Sequence, residues 1–576
     1  MSKPTLDVEH LLSPHGLASD IASKFQEWNS LRQQWLESKK ELRNYLYATD
    51  TTTTSNKALP WMNSTTTPKL TQIYDNLKAN YSAALFPNSN WMKWNGDDRN
   101  SATREKKRIV QAYMENKVRQ GKFELEVDKL IDDYILYGNV FASVSFEQNY
   151  HKVGDELVAG YIGPKLNRIS PNDIVFNPTA SSFNHTPKII RSLVQLGEVK
   201  RDVDKGEEWM KDIFSKMLSN RQEISGGVST EKSDGFIADG FSSIEHYYGS
   251  SYVELLTFYG DIYDTVAGEL KENRMITVVD RAYILRDEPI PSWLGTDPIF
   301  HSGWRHRPDN LYAMGPLDNL VGLQYRIDHL ENLKADVFDQ IALPLLKIRG
   351  DVEDFDYGPS ARIYLGEEGD VVPMVPDATA LNADMQIQLI ENKMEELAGA
   401  PRQAMGIRTP GEKTAFEVQS LENASSRIFQ HKASQFEREF IEPILNAMLE
   451  SARRSMDVVD VIRVLDDQTG AELFKQITRE DITAKGTLVP IGARHFAERA
   501  QRVQNINQFV QFKQLPDVGV HLSGKRIAEL VAYELGEEAL FGDNIAIDEQ
   551  METQAKMQDS EADMMEQMQV AAEEGL

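Results

Sequence analysis

The sequence predicts an α+β protein that is mainly helical. Several long stretches carry apolar residues at spacings of three and four, which is the pattern of an amphipathic helix. Two other regions, residues 140–196 and 252–287, contain short runs in which apolar and polar residues alternate, as is typical of strands. The helical pattern covers more of the chain, and its longest example lies between residues 315 and 457.

The composition is that of a globular protein with several domains. The chain has 576 residues, a length typical of about four domains, and 41% of them are hydrophobic. No apolar run approaches the ~18 residues needed to cross a bilayer, and the start, MSKPTLDVEHLLSPHG, lacks the pattern of a secretory signal. There are no cysteines, which excludes disulfides, cysteine-ligated zinc and thiol catalysis and fits synthesis in a reducing cytoplasm.

Three helices are predicted before the first strands. Ser19 or Asp20 can cap the first helix. Its apolar face comprises Ile21, Phe25, Trp28, Leu31, Trp35 and Leu42. The second helix runs from Pro68 to Phe86 and the third from about Ser101 to Gly121. The polar stretch TDTTTTSN, residues 49–56, is predicted to be a loop.

An α+β body is predicted between residues 140 and 287. Strands are expected in VFASVSF, ELVAGYI, DIVF and KIIRSLVQL, and again in YVELLTFYG, RMITVVD and AYILRD. A helix near Glu207–Leu218 and a loop at Gln222–Gly240, which is rich in Ser, Gly and Asp, separate the two groups of strands.

A long amphipathic helix is predicted to open at Gly315 and Pro316, because proline in the first turn of a helix loses no hydrogen bond. The face expected to be buried comprises Leu320, Leu323, Ile327, Leu330, Val337 and Ile341. The other faces, expected to be exposed, carry Asp318, Asp328, Glu331, Lys334, Asp336 and Asp339. Pro344 ends this helix.

A small β element and a second helix are predicted next. PLLKIRG and ARIYLGEEGDVVPMV indicate two or three short strands, with glycines at the turns. The second helix runs from about Thr379 to Gly399, with Ile387, Ile390, Met394 and Leu397 on its apolar face. Because only about thirty residues join the two helices, we expect an antiparallel pair with a small β knob at its tip.

An irregular loop and a very long helix follow. APRQAMGIRTPGEK is too rich in proline and glycine to be regular, and TAFE at Thr414–Glu417 has the form of a capping box. The helix that it opens is expected to continue to about Met456. Pro443 is expected to kink this helix near Glu439, because proline lacks the N–H that each helical turn uses.

The C-terminal part combines strands with acidic helices. VVDVIRVLDD and GTLVPIG predict strands that return to the α+β body. Helices are predicted at Phe496–Phe512, in GKRIAELVAYELG and in a final stretch that holds five methionines. From Gly536 to Leu576 there are 12 acidic residues and one basic residue, Lys556.

The order of these parts resembles the portal, or head-tail connector, family of tailed bacteriophages, especially that of short-tailed phages. The resemblance rests on GPLDNLVGLQYRIDHLENLKADVF, the small β insert, APRQAMGIRTPGEKTAFEVQ and SLENASSRIFQHKASQFEREFIEPILNAML, about the middle quarter of the chain. It implies the portal fold, with an α+β wing at 1–314, a first stem helix at 315–342, a β clip at 343–378, a second stem helix at 379–399, a tunnel loop at 400–413, a kinked wing helix with returning strands at 414–495 and a helical crown with an acidic tail at 496–576.

The resemblance implies a structural protein and not an enzyme. The implied assembly is a dodecameric ring at one capsid vertex, a conduit for double-stranded DNA during packaging and ejection, with no cofactor. The expected partners are further copies of the chain, terminase, head-tail adaptor and tail proteins, and major capsid and scaffolding proteins. DNA is expected to pass without sequence specificity, and no membrane is involved. The expected location is the virion, after assembly in the host cytoplasm.

Two groups of candidate functional residues follow from the resemblance. The tunnel-loop candidates for facing DNA, where a ring of arginines would touch phosphates without reading bases, are Arg402, Gln403, Arg408 and Lys413. The same four residues could instead bridge neighbouring subunits. The clip candidates for contacting terminase and adaptor are Lys347, Arg349, Asp351, Asp354, Arg362, Glu367 and Glu368.

The net charge of −27 argues against ordinary tight DNA binding, which depends on lysine and arginine. Twelve copies would carry about −320, a field that suits a conduit in which DNA slides without sticking. The alternative interpretation is solubility of a large assembly. One basic cluster is a contact for DNA or for an acidic neighbour, or else a solvated helix face: Lys93, Arg99, Arg104, Lys106, Lys107 and Arg108.

The catalytic motifs that we considered are missing or defective. GIRTPGEKT, residues 406–414, is close to a phosphate-binding loop but has an extra residue, Glu412, before the lysine. An acidic turn is a Mg²⁺ nuclease site, a solvated face or a docking edge for a partner: Asp351, Glu353, Asp354 and Asp356. His301 and His306 have no third ligand at a suitable spacing and are expected to be structural. A packaging ATPase or nuclease, and a helical scaffold or adaptor without a DNA channel, are the alternative functions.

Overall fold

The computed structural model describes most of the chain up to residue 492. The described residues are 14–47, 63–87, 91–96, 101–153, 156–205, 208–220, 252–264, 268–279, 281, 283–290, 297–353, 363–375, 382–398, 428–456, 460–465, 472–477, 482 and 486–492. They form a mixed α+β structure with more helix than strand, which confirms the predicted fold class at that level. They belong to two compact units, Met1–Ala84 with Gly121–Ser451, and Leu85–Gln120 with Ala452–Leu576.

The helices and strands are numbered in chain order. The helices are α1 (Pro14–Leu31), α2 (Gln33–Tyr47), α3 (Lys69–Leu85), α4 (Ser101–Gln120), α5 (Phe123–Leu136), α6 (Leu196–Lys205), α7 (Glu208–Asn220), α8 (Val321–Ala342), α9 (Asp384–Ala398) and α10 (Glu442–Ser455). The strands are β1 (Met92–Gly96), β2 (Asn139–Val153), β3 (Glu156–Ile169), β4 (Ile174–Phe176), β5 (Lys188–Gln195), β6 (Tyr252–Asp264), β7 (Glu269–Val279), β8 (Tyr283–Pro289), β9 (Ile299–Gly303), β10 (Arg305–Arg307), β11 (Asn310–Met314), β12 (Leu345–Arg349), β13 (Asp370–Met374), β14 (Asp460–Leu465), β15 (Glu472–Ile477) and β16 (Gly486–Pro490). The strands predicted between residues 140 and 287 are all present.

The first unit contains a five-stranded antiparallel sheet that α1 covers. The strand order is β4-β5-β6-β7-β8. Phe25 and Trp28 of α1 belong to one core cluster with Leu256, Phe258 and Ile276 of the sheet. The alternating pattern of the strands supplies one apolar face, and the helix buries it.

The first predicted helix is two helices that meet at Arg32. The prediction of a single helix opening at Ser19 or Asp20 is wrong, since α1 begins at Pro14 and α2 follows after one residue. The guanidinium of Arg32 is buried and donates to the carbonyl oxygens of Pro171, Asn172 and Ile174 at 2.6–2.8 Å. Leu31, predicted to be buried, is 57% exposed, because the chain changes direction there.

A second sheet, in the order β3-β2-β9, packs beside an aromatic cluster. Phe141, Phe176 and Phe183 surround the ring of His301, and the His301 Nε2 lies 3.1 Å from the side-chain oxygen of Asn139. Burial of the imidazole lowers its pKa to about 3, with smaller contributions from His306 and Lys188. His301 is therefore a structural residue of this cluster, as expected from the sequence.

Helix α8 begins at Val321 and not at the predicted Gly315 and Pro316. The carboxylate of Asp318 accepts a hydrogen bond from the Gly315 N–H at 2.8 Å, so the residues before Val321 form a turn. α8 and α9 lie antiparallel, as predicted. Lys334, late in α8, contacts Asp384 at the start of α9, while Lys69 contacts Glu395 at the end of α9 beside the first turn of α8.

The long helix contains a π-helical turn where the sequence predicted a kink. Residues 428–436 are helical, Glu437–Ile441 form the π-helical turn, and α10 follows. The Glu442 N–H donates to the Glu437 carbonyl oxygen, five residues back. Pro443 has no N–H to donate to Glu439, so the wider turn accommodates the missing bond.

The second unit is built on strand pairs and α4. β1 pairs with β16 and β14 pairs with β15, all antiparallel. Trp94 of β1 is buried, and the N–H of Ile491 donates to the Trp91 carbonyl oxygen at 2.8 Å. The strands predicted in VVDVIRVLDD and GTLVPIG are thus present as β14 and β16. The prediction that they return to the α+β body is wrong, since they pair with β15 and β1 in the second unit.

Several predicted elements lie outside the described residues. They are the loops at 49–56 and 222–240, the start of the long helix at Thr414 and the helices after residue 492. In the part of the chain that is described, no helix is both long and apolar enough to span a bilayer.

Candidate functional site

Strands β12 and β13 form a two-stranded hairpin between α8 and α9, at the position predicted for the clip. The register pairs Leu345 with Met374 and Arg349 with Asp370. Side chains on both faces of the ribbon are exposed or half-buried. A two-stranded ribbon without a buried face is marginally stable in water. Within the described residues, neither face of the hairpin is fully buried.

The clip candidates lie on this hairpin. The structure describes Lys347 and Arg349 on β12, and Asp351, Glu367 and Glu368 beyond it, and all five are exposed. Gly350 has a φ of +78°, and a Cβ there would lie 2.1 Å from the carbonyl oxygen of Glu368, so this turn requires glycine. The remaining two candidates, Asp354 and Arg362, lie outside the described residues.

Exposed apolar side chains are concentrated on the hairpin and on the helices that carry it. Fourteen of the 21 exposed large hydrophobic residues in the described part of the chain fall between Leu333 and Leu397. We call six of them, taken from the hairpin region and the adjoining helix ends, the apolar tip: Phe338, Leu343, Leu345, Tyr364, Met374 and Met385. Met385 is 75% and Leu345 70% exposed. Exposed apolar surface of this kind is typical of sites at which proteins contact other molecules.

Along α8, from Gln324 to Asp336, four polar side chains are buried, two of which the sequence predicted to be exposed. Gln324, Asp328 and Asn332 are fully buried, and Asp336 is 9% exposed. These four residues follow one another at intervals of four, so they form one line along the helix, which we call the ladder. The prediction that Asp328 and Asp336 face solvent is wrong, and Leu323 of the predicted apolar face is only half-buried.

The ladder binds the main chain of residues 63–67, which we call the strap. The N–H groups of Asn63, Thr65 and Thr67 donate to Asp336, Asn332 and Asp328 respectively, at 2.8–2.9 Å. Asn332 also donates its side-chain N–H to the Thr65 carbonyl oxygen at 2.8 Å. Gln324 donates to the Thr67 carbonyl oxygen at 2.6 Å and accepts from the Leu70 N–H at 3.1 Å.

The match between helix and strap is geometric. Four residues of an α-helix rise about 6 Å, and two residues of an extended chain rise about 6.5 Å. A side chain at every fourth helical position therefore meets the N–H at every second strap position. This explains why the ladder residues are polar: a buried main-chain N–H needs an acceptor, and an apolar side chain cannot provide one.

Two buried ion pairs lie at the same end of the helix pair. The Lys69 ammonium is 2.6 Å from the Glu395 carboxylate, and both side chains are at most 5% exposed. Lys39 of α2 is paired with Asp318 just before α8. Desolvation lowers the pKa of Lys39, and the Asp318 carboxylate opposes that shift. α8 and α9 are thus attached to α2 and α3 through polar contacts that the sequence pattern did not indicate.

The tunnel-loop candidates Arg402, Gln403, Arg408 and Lys413 lie outside the described residues, as does the string GIRTPGEKT. Of the acidic turn considered for a metal, the structure describes Asp351 and Glu353. Across the described ranges, no group of three or more His, Cys, Asp or Glu side chains is arranged to hold a metal ion.

In the comparisons with known proteins, no family model matches this chain and no curated protein matches it.

Proposed function

We propose that this chain is a ring-forming portal protein, a conduit for double-stranded DNA at one vertex of a phage capsid. The observation that carries the proposal is the apolar tip on an exposed two-stranded hairpin between antiparallel helices. It supports the expectation, from the resemblance of residues 315–457 to portal proteins, that the hairpin is a clip and that α8 and α9 are a stem.

The hairpin favours association with further copies of the same chain. Leu345 and Met374 are paired across the two strands and both are exposed, so a neighbour can cover them together. Coverage of one patch by a different patch of the next copy is a heterologous contact, and such contacts close into rings when the rotation permits. Twelve copies are expected from the family resemblance.

The charge distribution supports a conduit more than a tight DNA-binding protein. The chain has 62 lysines and arginines against 89 acidic residues, so its formal net charge of −27 opposes tight binding to phosphates. In a ring, the negative field would keep the duplex away from the walls. Contact with DNA is assigned to Arg402, Gln403, Arg408 and Lys413 in the tunnel loop, which would touch phosphates without reading bases.

The proposed partners follow from this role. The exposed charges at the end of the hairpin, such as Arg349, Asp351 and Glu367, are available to bind terminase during packaging and adaptor and tail proteins afterwards. Capsid and scaffolding proteins would surround the ring in the virion, and assembly would occur in the host cytoplasm. The proposal assigns no covalent chemistry to the chain.

Single-particle imaging with native mass spectrometry tests the proposal. A ring with a hole wide enough for a duplex and a narrow stalk ending in a small domain is expected. A closed particle without a channel would favour the scaffold or adaptor alternative. ATP hydrolysis that Lys413→Ala abolishes would favour the enzyme alternative.

A charge placed in the tip tests which surface forms the ring. Leu345→Asp is expected to prevent ring formation, because it would bury an unpaired carboxylate between copies. The matched control is Leu270→Asp on β7, which alters a residue that is also exposed but lies away from the hairpin. Rings formed equally well by both variants would contradict the assignment of the interface.

A further inference from the structure

The strap is bound mainly through its main chain. Three alternate N–H groups and two carbonyl oxygens of residues 63–67 contact the ladder. The side chains of Asn63 and Thr65 add further contacts. Between the three donors, Ser64 is exposed to solvent and Thr66 is buried. The ladder therefore recognises an extended backbone with a donor at every second residue, and it places no demand on the side chain at position 64.

An attachment of this kind differs from the apolar packing that holds α1 on its sheet. Separating an apolar interface exposes hydrophobic area to water at a large cost. Separating the strap from the ladder returns each N–H and each acceptor to water, which replaces most of the lost hydrogen bonds. The strap is thus built to detach as a local event, while the cores on either side stay intact.

We propose that the strap and ladder form a latch, which holds α8 against the N-terminal helices when closed and frees the stem to move when open. In the closed state the latch fixes α8 along residues 324–336, up to the turn that carries Phe338. The movement that it limits is that of the α8–hairpin–α9 element against α2 and α3, which also requires the Lys39–Asp318 and Lys69–Glu395 ion pairs to separate. The role of this movement in DNA passage rests on the proposed function, whereas the existence of the latch does not.

A proline pair tests how the strap is recognised. Thr65→Pro removes the N–H that Asn332 accepts, whereas Ser64→Pro changes a neighbour whose N–H makes no contact with the ladder. Hydrogen exchange over residues 63–70 is expected to rise roughly tenfold or more in Thr65→Pro, the change that goes with losing one ordinary hydrogen bond. Ser64→Pro is expected to resemble the wild type. Equal effects of the two prolines would overturn recognition through alternate N–H groups.

Hydrogen exchange in the unmodified protein tests whether the latch opens. The strap amides are expected to exchange faster than the amides of β6 in the central sheet, since opening of the latch requires no global unfolding. If the strap exchanged only as slowly as β6, the latch would not open and the proposal would fail.

A reversible disulfide tests the function of opening. The hydroxyl of Thr65 lies 3.0 Å from the Asn332 side-chain oxygen, so Thr65→Cys with Asn332→Cys places one cysteine on each side of the latch where the strap and the ladder touch. The chain has no other cysteine, so any disulfide formed joins these two positions, within one copy or between copies. Because Asn332→Cys itself removes ladder contacts, oxidised rings are compared with the same rings after reduction. The oxidised rings are expected to assemble but to package or release less DNA, and a reductant is expected to raise both.

The outcomes separate the latch from the proposed function. Oxidised rings that package and release DNA as well as reduced rings would overturn the latch and leave the portal proposal standing. If the wild-type chain forms no ring, the portal proposal fails, while the two exchange experiments still decide whether the latch exists. A disulfide between copies on a non-reducing gel would show that the strap belongs to a neighbour and would overturn the latch within one chain.

Discussion

Two parts of α8 distribute their side chains in opposite ways. Residues 324–336 bury the four polar side chains of the ladder, whereas the last turns expose Phe338 and the residues leading to the hairpin. The amphipathic spacing runs through the whole helix, so spacing alone does not decide which face is covered. The difference teaches that the segment packed against a helix decides which of its side chains are buried. An extended main chain covers polar side chains that can bind its N–H groups, whereas the apolar side chains near the hairpin are left exposed.

The largest expected effect is at the buried ion pair beside the ladder. Lys69→Met would leave the Glu395 carboxylate buried without its cation, which typically costs about 3–5 kcal/mol of unfolding free energy. Urea unfolding measures the loss. Replacing both partners, Lys69→Met with Glu395→Leu, is expected to recover most of it. A single variant as stable as the wild type would mean that this end of the helix pair is not closed as described.

A smaller effect is expected within the ladder. Asp328→Leu removes the acceptor of the Thr67 N–H and should cost about 1–3 kcal/mol. The control is Asp339→Leu, whose carboxylate accepts from Asn63 at the exposed end of the strap and should change stability by less than about 0.5 kcal/mol. Thermal unfolding compares the two. Equal losses of unfolding free energy in the two variants would show that the buried Asp328 contributes no more to stability than the exposed Asp339.

The pH dependence of stability tests the burial of His301, which lies away from α8. Because its pKa is lowered to about 3 in the folded chain, the folded state binds fewer protons than the unfolded state between about pH 6.5 and 3. Its contribution to stability is complete above pH 6.5 and is lost as the pH falls toward 3. The loss of stability over this range should be smaller in His301→Gln.

The pKa shift of Asp133 changes stability with pH in the opposite direction to that of His301, so the experiment must separate the two residues. Desolvation raises the pKa of its carboxyl to about 6, although Arg168 opposes the shift. Its contribution is present below pH 3.8 and is lost as the pH rises through 6. The wild type and His301→Gln share this residue, so the difference between their pH profiles isolates His301. Identical profiles would contradict the burial of the imidazole.

The smallest effect on stability is expected at the apolar tip. Phe338→Ser removes an aromatic ring that is 63% exposed, so the free energy of unfolding of the single chain should change by less than about 0.5 kcal/mol. Association of copies, measured by sedimentation, should nevertheless weaken. A large loss of stability in dilute monomer would mean that the tip packs within one chain.

Periodicity predicted the helices of this region but not their environment. The spacing of Ile327 and Leu330 located α8, and Ile387 and Met394 located α9; all four side chains are buried. The polarity of Asp328 predicted an exposed side chain, because its partner, the strap, lies 261 residues earlier in the sequence. The regular interval of four from Gln324 to Asp336 was the available signal.

Boundaries were predicted less well than elements, for local reasons. Proline at position 316 permits a helix start, but the Asp318 carboxylate binds the Gly315 N–H and holds a turn instead. The first helix is divided at Arg32, whose guanidinium donates to three carbonyl oxygens of a distant segment. Neither contact is visible in a local window of sequence. The tunnel-loop assignments remain predictions, since those residues lie outside the described ranges.

The π-helical turn before Pro443 has a consequence for alignment along the long helix. A π-helical turn contains one residue more than an α-helical turn, and one residue corresponds to about 100° around the axis. On a single helical wheel, the positions of α10 are therefore rotated by about 100° relative to those of residues 428–436. Removing the exposed Arg438 would bring the two wheels into phase, at the cost of restoring an α-helical turn that Pro443 cannot complete. Buried and exposed positions therefore have to be assigned separately for the two segments on either side of the π-helical turn.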